Sequence, residues 1–150
     1  MKISIKNITV EDTYPIRSQL LRPGLPLTSC QFEQDTHPKT GHWGAWLEGE
    51  LVGIVSAMPT PCPDFESLDA FQFRAMAVLP NHQRKGIATR LLLTAEKQLM
   101  AMYQPDLFWL NSRMNAQKLY ASLTYQTIGD VFEIPTVGPH VRFYKKTCLI

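Results

Sequence analysis

Cysteine is scarce in this sequence, and its spacing builds nothing. Cys30, Cys62 and Cys148 are three, an odd number, and they fall in no metal-ligand pattern. A disulfide framework and a structural metal site are both excluded, and buried or incidental thiols in a reducing compartment are expected. Long apolar runs are also missing. No segment approaches the ~20 residues a membrane-crossing helix needs, and the opening MKISIKNITV lacks the apolar core of a signal peptide. A cytoplasmic protein with no membrane contact is the expectation. Net charge is low: 15 Lys and Arg against 13 Asp and Glu leave +2. With no interleaving of basic and aromatic residues, nucleic-acid binding is not expected. Internal repeats, low-complexity tracts and linkers are lacking, so residues 1–150 are expected to form one domain. Two familiar phosphate loops are missing as well, since neither G-x-x-x-x-G-K-[ST] nor G-x-G-x-x-G occurs.

What is present centres on residues 74–104, RAMAVLPNHQRKGIATRLLLTAEKQLMAMYQ. A strand over 70–79 runs past Pro80 into the loop Gln83-Arg84-Lys85-Gly86-Ile87-Ala88 and then into a helix from Gly86 to about Tyr103. Amide N–H groups at a helix start lack intrahelical partners and carry partial positive charge, which suits an anion. Gly86 would let backbone approach that anion without a Cβ, and Arg84 and Lys85 add formal charge. A phosphate cradle is expected here. The plainer reading of the same residues is an ordinary basic βα turn facing solvent.

Other elements follow from local pattern. Alternating Ile3, Ile5 and Ile8 give a strand over 2–10, and Glu11 and Asp12 open a helix to about Leu21, with Ile16, Leu20 and Leu21 inward. Residues 25–41 lose all periodicity and read as a loop with one helical turn. Strands over 43–47 and 51–58 flank Glu48-Gly49-Glu50 as a hairpin, and 59–68 is a proline-bearing loop. Ile87, Leu91, Leu92, Ala95, Leu99 and Met102 form the apolar stripe of the long helix. A strand over 107–110, a helix over 115–123, and strands over 126–134 and 141–146 joined through 135–139 complete the chain. Strand-helix-strand at the centre implies parallel pairing of 71–79 with 107–110.

The loop resembles the Q/R-x-x-G-x-G/A signature of the GCN5-related N-acetyltransferase (GNAT) superfamily. The preceding AVLP and the later Tyr120-Ala-Ser-Leu-Thr124-Tyr125 match that layout, and the element order matches it over nearly the whole chain. The resemblance implies an α/β fold of the GNAT acyl-CoA N-acyltransferase type, a mixed central sheet of about six to seven strands flanked by helices. It implies acetyl-CoA as cosubstrate, no metal, and transfer to an amine through a ternary complex. Gln83, Arg84, Lys85, Gly86, Ile87, Ala88 and Thr89 would hold the pyrophosphate. Main chain at Met76, Ala77 and Val78 would pair with the pantetheine arm, and Asn111 would contact it. The segment 25–41 would cover the acceptor site.

Tyr120 lies four residues beyond Ala116, as in the family's A-x-x-[LF]-Y pattern. Its phenol keeps its proton at neutral pH, so it is the candidate general acid for the departing thiolate. A core aromatic bonded to a backbone carbonyl is the alternative. Three features depart from the family. Thr124 replaces the usual glycine at the helix exit, Arg113 replaces an asparagine, and Gln72 and Arg74 stand where many relatives carry a glutamate base. The base would then be water, His140, His42 or another group. Arg74, Arg113 and His140, with Arg142 and Arg22, suit an acceptor bearing a carboxylate or phosphate. Solvated arginines paired with acids such as Glu133 are the alternative. His37, His42 and Trp43 read as too isolated for a metal, and a loop histidine as polar surface. The expected acceptor is a small-molecule amine, taken by a monomer or homodimer. A non-catalytic acyl-CoA-binding module is the rival function.

Overall fold

A two-residue turn, Glu48-Gly49, closes the first hairpin, and both residues have positive φ (51° and 83°). That is the twist two-residue hairpins prefer. The computed structural model describes residues 2–135 and 137–148. The chain divides into two compact units, Met1–Met58 with Phe73–Met102, and Pro59–Gln72 with Tyr103–Ile150.

In the first unit, β1 (Ile3–Asn7) pairs antiparallel with β2 (Gly41–Leu47), which pairs antiparallel with β3 (Glu50–Met58). Helix α1 (Val10–Ile16) starts on a capping box. Thr9 Oγ1 accepts from the Asp12 amide and Asp12 Oδ2 from the Thr9 amide, each at 3.1 Å. The helix widens into a π-turn, Arg17–Leu21, so the expected helix to Leu21 is two kinds of turn. Ile16 is buried, but Leu20 and Leu21 are only half-buried. The inner place is taken by Arg17, which is 0% exposed. The segment 25–41 holds one 3₁₀ turn, Leu27–Cys30.

Strand β4 (Ala70–Val78) contributes its later residues to this unit and leads through a 3₁₀ turn, Pro80–His82, to α2 (Ile87–Tyr103). Ile87, Leu91, Leu92, Ala95 and Leu99 are buried. Each large side chain among them contributes roughly 1.5–3 kcal/mol by leaving water. Met102 is 65% exposed, because α2 is ending and its last turn leaves the covered face. Gly53 on β3 permits the close approach of α2. A Cβ there would lie 3.1 Å from Ile87 Cγ2 and 3.3 Å from Leu91 Cδ1.

In the second unit, the start of β4 pairs in parallel with β5 (Leu107–Arg113) over three pairs, Ala70↔Leu107, Phe71↔Phe108 and Gln72↔Trp109. The 3₁₀ turn Met114–Ala116 and α3 (Gln117–Ser122) follow, where one helix over 115–123 was expected. Strand β7 (Gly138–Lys146) runs antiparallel to both β5 and β6 (Gln126–Ile134). Thr136, in the expected connection 135–139, lies outside the described residues. One core cluster joins Cys62, Ala70, Leu107 and Trp109, and Tyr120, Tyr125 and Phe143 are buried on their own contacts. The hydrogen-bonded strand order is β1-β2-β3-β4-β5-β7-β6. Cys30 and Cys62 are buried and Cys148 is exposed. Among the described residues no helix is long and apolar enough to cross a membrane.

Candidate active site

The loop before α2 is shaped by two left-handed residues, Arg84 at φ 63° and Gly86 at φ 78°. Gln83 anchors it by donating from Nε2 to the Val78 carbonyl at 3.1 Å. The first helical bond of α2 runs from the Arg90 amide to the Gly86 carbonyl at 3.1 Å. The amides of Ile87, Ala88 and Thr89 therefore come before any intrahelical donor, as at every helix start. Residues 83–86 are exposed, and a Cβ at Gly86 would meet nothing within 4 Å. Lys85 Nζ lies 3.5 Å from His82 Nδ1. Amides at a helix start beside two cationic side chains are a setting that suits an anion.

Upstream of that loop, Met76, Ala77 and Val78 are half-buried on β4. Ala75 has φ 55°, a conformation an alanine adopts only under compulsion. It interrupts the two-face alternation expected along 70–79 and re-aims the main chain of the next three residues. Past it, the Leu79 amide donates to the Val52 carbonyl at 2.9 Å.

Arg74, one residue earlier, holds its guanidinium carbon 4.0 Å from the centroid of the Phe32 ring. Burial lowers its pKa first, and repulsion from Arg22 and Arg17 lowers it further. Arg17 also lies over Phe32, at 4.3 Å.

Arg17 is the hub of a network that sequence reading missed. Its Nη1 donates to the Cys30 carbonyl and to Asp35 Oδ2, both at 2.8 Å. Its Nη2 donates to Asp35 Oδ1 and Ser56 Oγ, both at 3.0 Å. His42 Nδ1 and Ser56 Oγ are 2.7 Å apart, and His42 Nε2 is 3.1 Å from the Asp35 carbonyl. That carbonyl can only accept, so Nε2 carries the proton and Nδ1 accepts from Ser56. His42 is thus a buried member of β2 rather than polar surface, and both its ring nitrogens are occupied. It is poorly placed to serve as a base. Its pKa is lowered, chiefly by burial.

In the second unit, Tyr120 is 3% exposed, with its ring against Phe143 (4.9 Å) and Tyr125 (5.8 Å). Burial pushes its pKa up to about 12, against the opposing pull of a Ser112 hydrogen bond. The phenol stays protonated, and the Ser112 side chain is its hydrogen-bond neighbour. Arg113 and His140 face each other in the β5–β7 register. His140 donates from Nδ1 to the Gly138 carbonyl at 3.0 Å, which leaves the lone pair on Nε2. Arg142 is committed elsewhere. It donates to Asn111 Oδ1 at 3.1 Å and pairs with Asp64 at 2.8 Å, not with Glu133. Asn111 therefore has its oxygen engaged.

The description "Acetyltransferase (GNAT) family" matches residues 5–125 of this chain. The chain belongs to the GNAT acetyltransferase family. It is 32% identical to YitI of Bacillus subtilis (strain 168), an uncharacterized N-acetyltransferase, over 143 residues covering 95% of each. Among solved structures, Escherichia coli ElaA superposes with a TM-score of 0.75 at 13% identity, covering 96% of this chain and 99% of that one. Arabidopsis thaliana NAA60 in complex with acetyl-CoA superposes with a TM-score of 0.75 at 15% identity, covering 97% and 99%. The seven-stranded mixed sheet with flanking helices is the GNAT acyl-CoA N-acyltransferase fold, and the protein is an acetyltransferase.

The helix exit after Tyr120 is strained. Thr124 adopts φ 69° where glycine would do so freely. The glutamate position on the central strand remains without a carboxylate, since Gln72 and Arg74 occupy it. Among the described residues, no group of three or more His, Cys, Asp or Glu is placed to hold a metal.

Proposed function

We propose that this enzyme moves the acetyl group of acetyl-CoA directly to a primary amine on a small molecule, within a ternary complex. The observation that carries this reading is the open loop at Arg84–Gly86, whose two left-handed residues lead into the first amides of α2. The NAA60 complex with acetyl-CoA, on the same fold, supports the choice of donor. The half-buried setting of Arg74 against Phe32 favours a compact acceptor over an extended chain.

Acetyl-CoA supplies the acetyl group and a thiolate leaving group. The amides and side chains of Gln83, Arg84, Lys85, Gly86, Ile87, Ala88 and Thr89 hold the diphosphate. Main-chain groups of Met76, Ala77 and Val78 align the arm beyond it and donate to the oxygen on which charge develops. Asn111 contributes an amide to that arm. Arg74, Arg113 and His140 bind the acceptor, whose proton passes to water or to His140 Nε2. Tyr120 gives its phenolic proton to the departing sulfur. No metal takes part. Three free thiols suit the reducing cytoplasm, where the protein acts as a monomer or homodimer.

A thermal-shift panel tests this. Acetyl-CoA at about 100 times its Kd should stabilise the protein by about 2.7 kcal/mol, roughly 5–10 °C for a chain of this size. CoA should shift it too, and thiol release should then require an amine. Indifference to every CoA thioester would end the reading.

A further inference from the structure

The acetyl acceptor carries its own negative charge, we infer, and Arg74 binds it beside the Phe32 ring. This rests on the acetyl-CoA reading above and names the substrate class for it.

The argument begins with charge balance inside the first unit. Arg17 and Asp35 neutralise each other through two hydrogen bonds, and four of Arg17's N–H donors are used within the protein. Asp35 is thereby spent. A third hydrogen bond to its carboxylate, from the Phe32 amide to Oδ2 at 2.8 Å, holds Phe32 next to the pair. Asp35 acts on Arg74 only through its charge, and Arg74 and Arg22 make no such pair. Both are half-buried, and among the described residues no salt bridge joins either of them to a carboxylate. Arg22 does donate to the neighbouring Leu21 carbonyl at 3.0 Å, which turns its side chain back toward the chain. Arg22 is also the charge that bears most strongly on Arg74. A half-buried guanidinium with no carboxylate in ion-pair reach among the described residues favours an anionic ligand.

Position supplies the second half. Arg74 immediately precedes the left-handed Ala75 and stands two residues before Met76. Two residues of strand span roughly 7 Å, so Arg74 is rooted within a short molecule's length of the site proposed for the thioester. A short acceptor with an amine at one end and an oxyanion at the other bridges that span. The guanidinium fork matches a planar carboxylate in two parallel bonds. A phosphate monoester offers the same oxygens, so the shared chemistry is an anionic oxygen group on a small amine.

Matched pairs test it. Thiol release from acetyl-CoA would be followed with L-tyrosine against tyramine, L-lysine against cadaverine, and phosphoethanolamine against ethanolamine. At least one anionic member should exceed its neutral partner in kcat/KM by roughly 10- to 100-fold, the worth of a charge-assisted hydrogen-bond pair. Arg74→Gln should erase that preference mainly through KM, and Arg74→Lys should keep part of it. Which pair responds separates carboxylate from phosphate. Neutral amines used as well as anionic ones overturn the inference, as does a preference that survives in Arg74→Gln. Failure to acetylate any anionic member while acetyl-CoA still raises Tm also overturns it. Absence of that Tm rise would instead strike the acetyl-CoA reading.

Discussion

Arg17 grips both carboxylate oxygens of Asp35, at 2.8 and 3.0 Å, with both side chains almost wholly out of solvent. Burial alone would raise the Asp35 pKa. The Arg17 hydrogen bonds, the Phe32 amide and the Arg17 charge outweigh it, and the net displacement is downward. Removing one partner strands the other's charge. Asp35→Ala should therefore cost about 3–5 kcal/mol, read from the urea midpoint. The double variant Arg17→Met/Asp35→Leu should recover part of that loss. A cost below about 1 kcal/mol for Asp35→Ala would mean the pair is solvated after all.

His42 gives the fold a pH dependence of definite sign. Its folded pKa lies below the ordinary 6.5, first because of burial and then because of the Arg17 charge. The unfolded chain thus takes up the proton sooner. The stability His42 contributes is present above about pH 6.5 and is lost as pH falls through its folded value. The depressed carboxyl of Asp35 extends the loss to lower pH, below its ordinary 3.8. Urea midpoints should decline from neutrality downward. His42→Asn should lower the midpoint at neutral pH and flatten the decline just below about pH 6.5.

Tyr120→Phe should lower kcat by about 10²-fold or less, with acetyl-CoA affinity little changed. Because burial holds the phenol at about 12, its own titration should not appear in an activity profile run up to about pH 9. An unchanged turnover number would return Tyr120 to the aromatic core it shares with Phe143 and Tyr125.

Thr124 sits at φ 69° at the end of α3, where a β-branched residue is strained. Left-handed backbone costs a non-glycine residue about 1–2 kcal/mol. Glycine would relieve that but bring about 0.5–1 kcal/mol of extra unfolded-state entropy. The Thr124 Oγ1 bond to the Leu123 carbonyl, 2.6 Å, is local and solvent-near, so its loss matters little. Thr124→Gly should raise Tm by roughly 1–4 °C. A lower Tm would show that the hydroxyl bond outweighs the strain.

What could be read from the residues was whatever is local in sequence. The hairpin turn, the acidic start of α1, the stripe on α2 and the basic loop each carry their cause within a few neighbouring residues. The buried Arg17 does not. Its partner lies 18 residues away in a segment with no periodicity, and a further acceptor is on β3. A lone arginine on a short helix reads as surface until the chain has folded. Ala75 is similar, because nothing in its identity announces φ 55°. Strand β5 outran expectation to Arg113 because its polar end still pairs with β7, where hydrogen bonds replace apolar burial as the reason for extension.

The cradle at Gly86 can be tested against backbone strain alone. Gly86 and Gly129 have nearly equal φ, 78° and 81°, and a Cβ at either would meet no protein atom within 4 Å. Alanine at each therefore incurs the same left-handed penalty, about 1–2 kcal/mol, and Tm should fall alike in both variants. Only at Gly86 would the added methyl occupy the space proposed for the diphosphate. Gly86→Ala should weaken acetyl-CoA by tenfold or more, about one charge-assisted hydrogen bond, while Gly129→Ala should bind it as the unmodified chain does. Equal affinities in the two variants would leave the loop as a basic turn and nothing more.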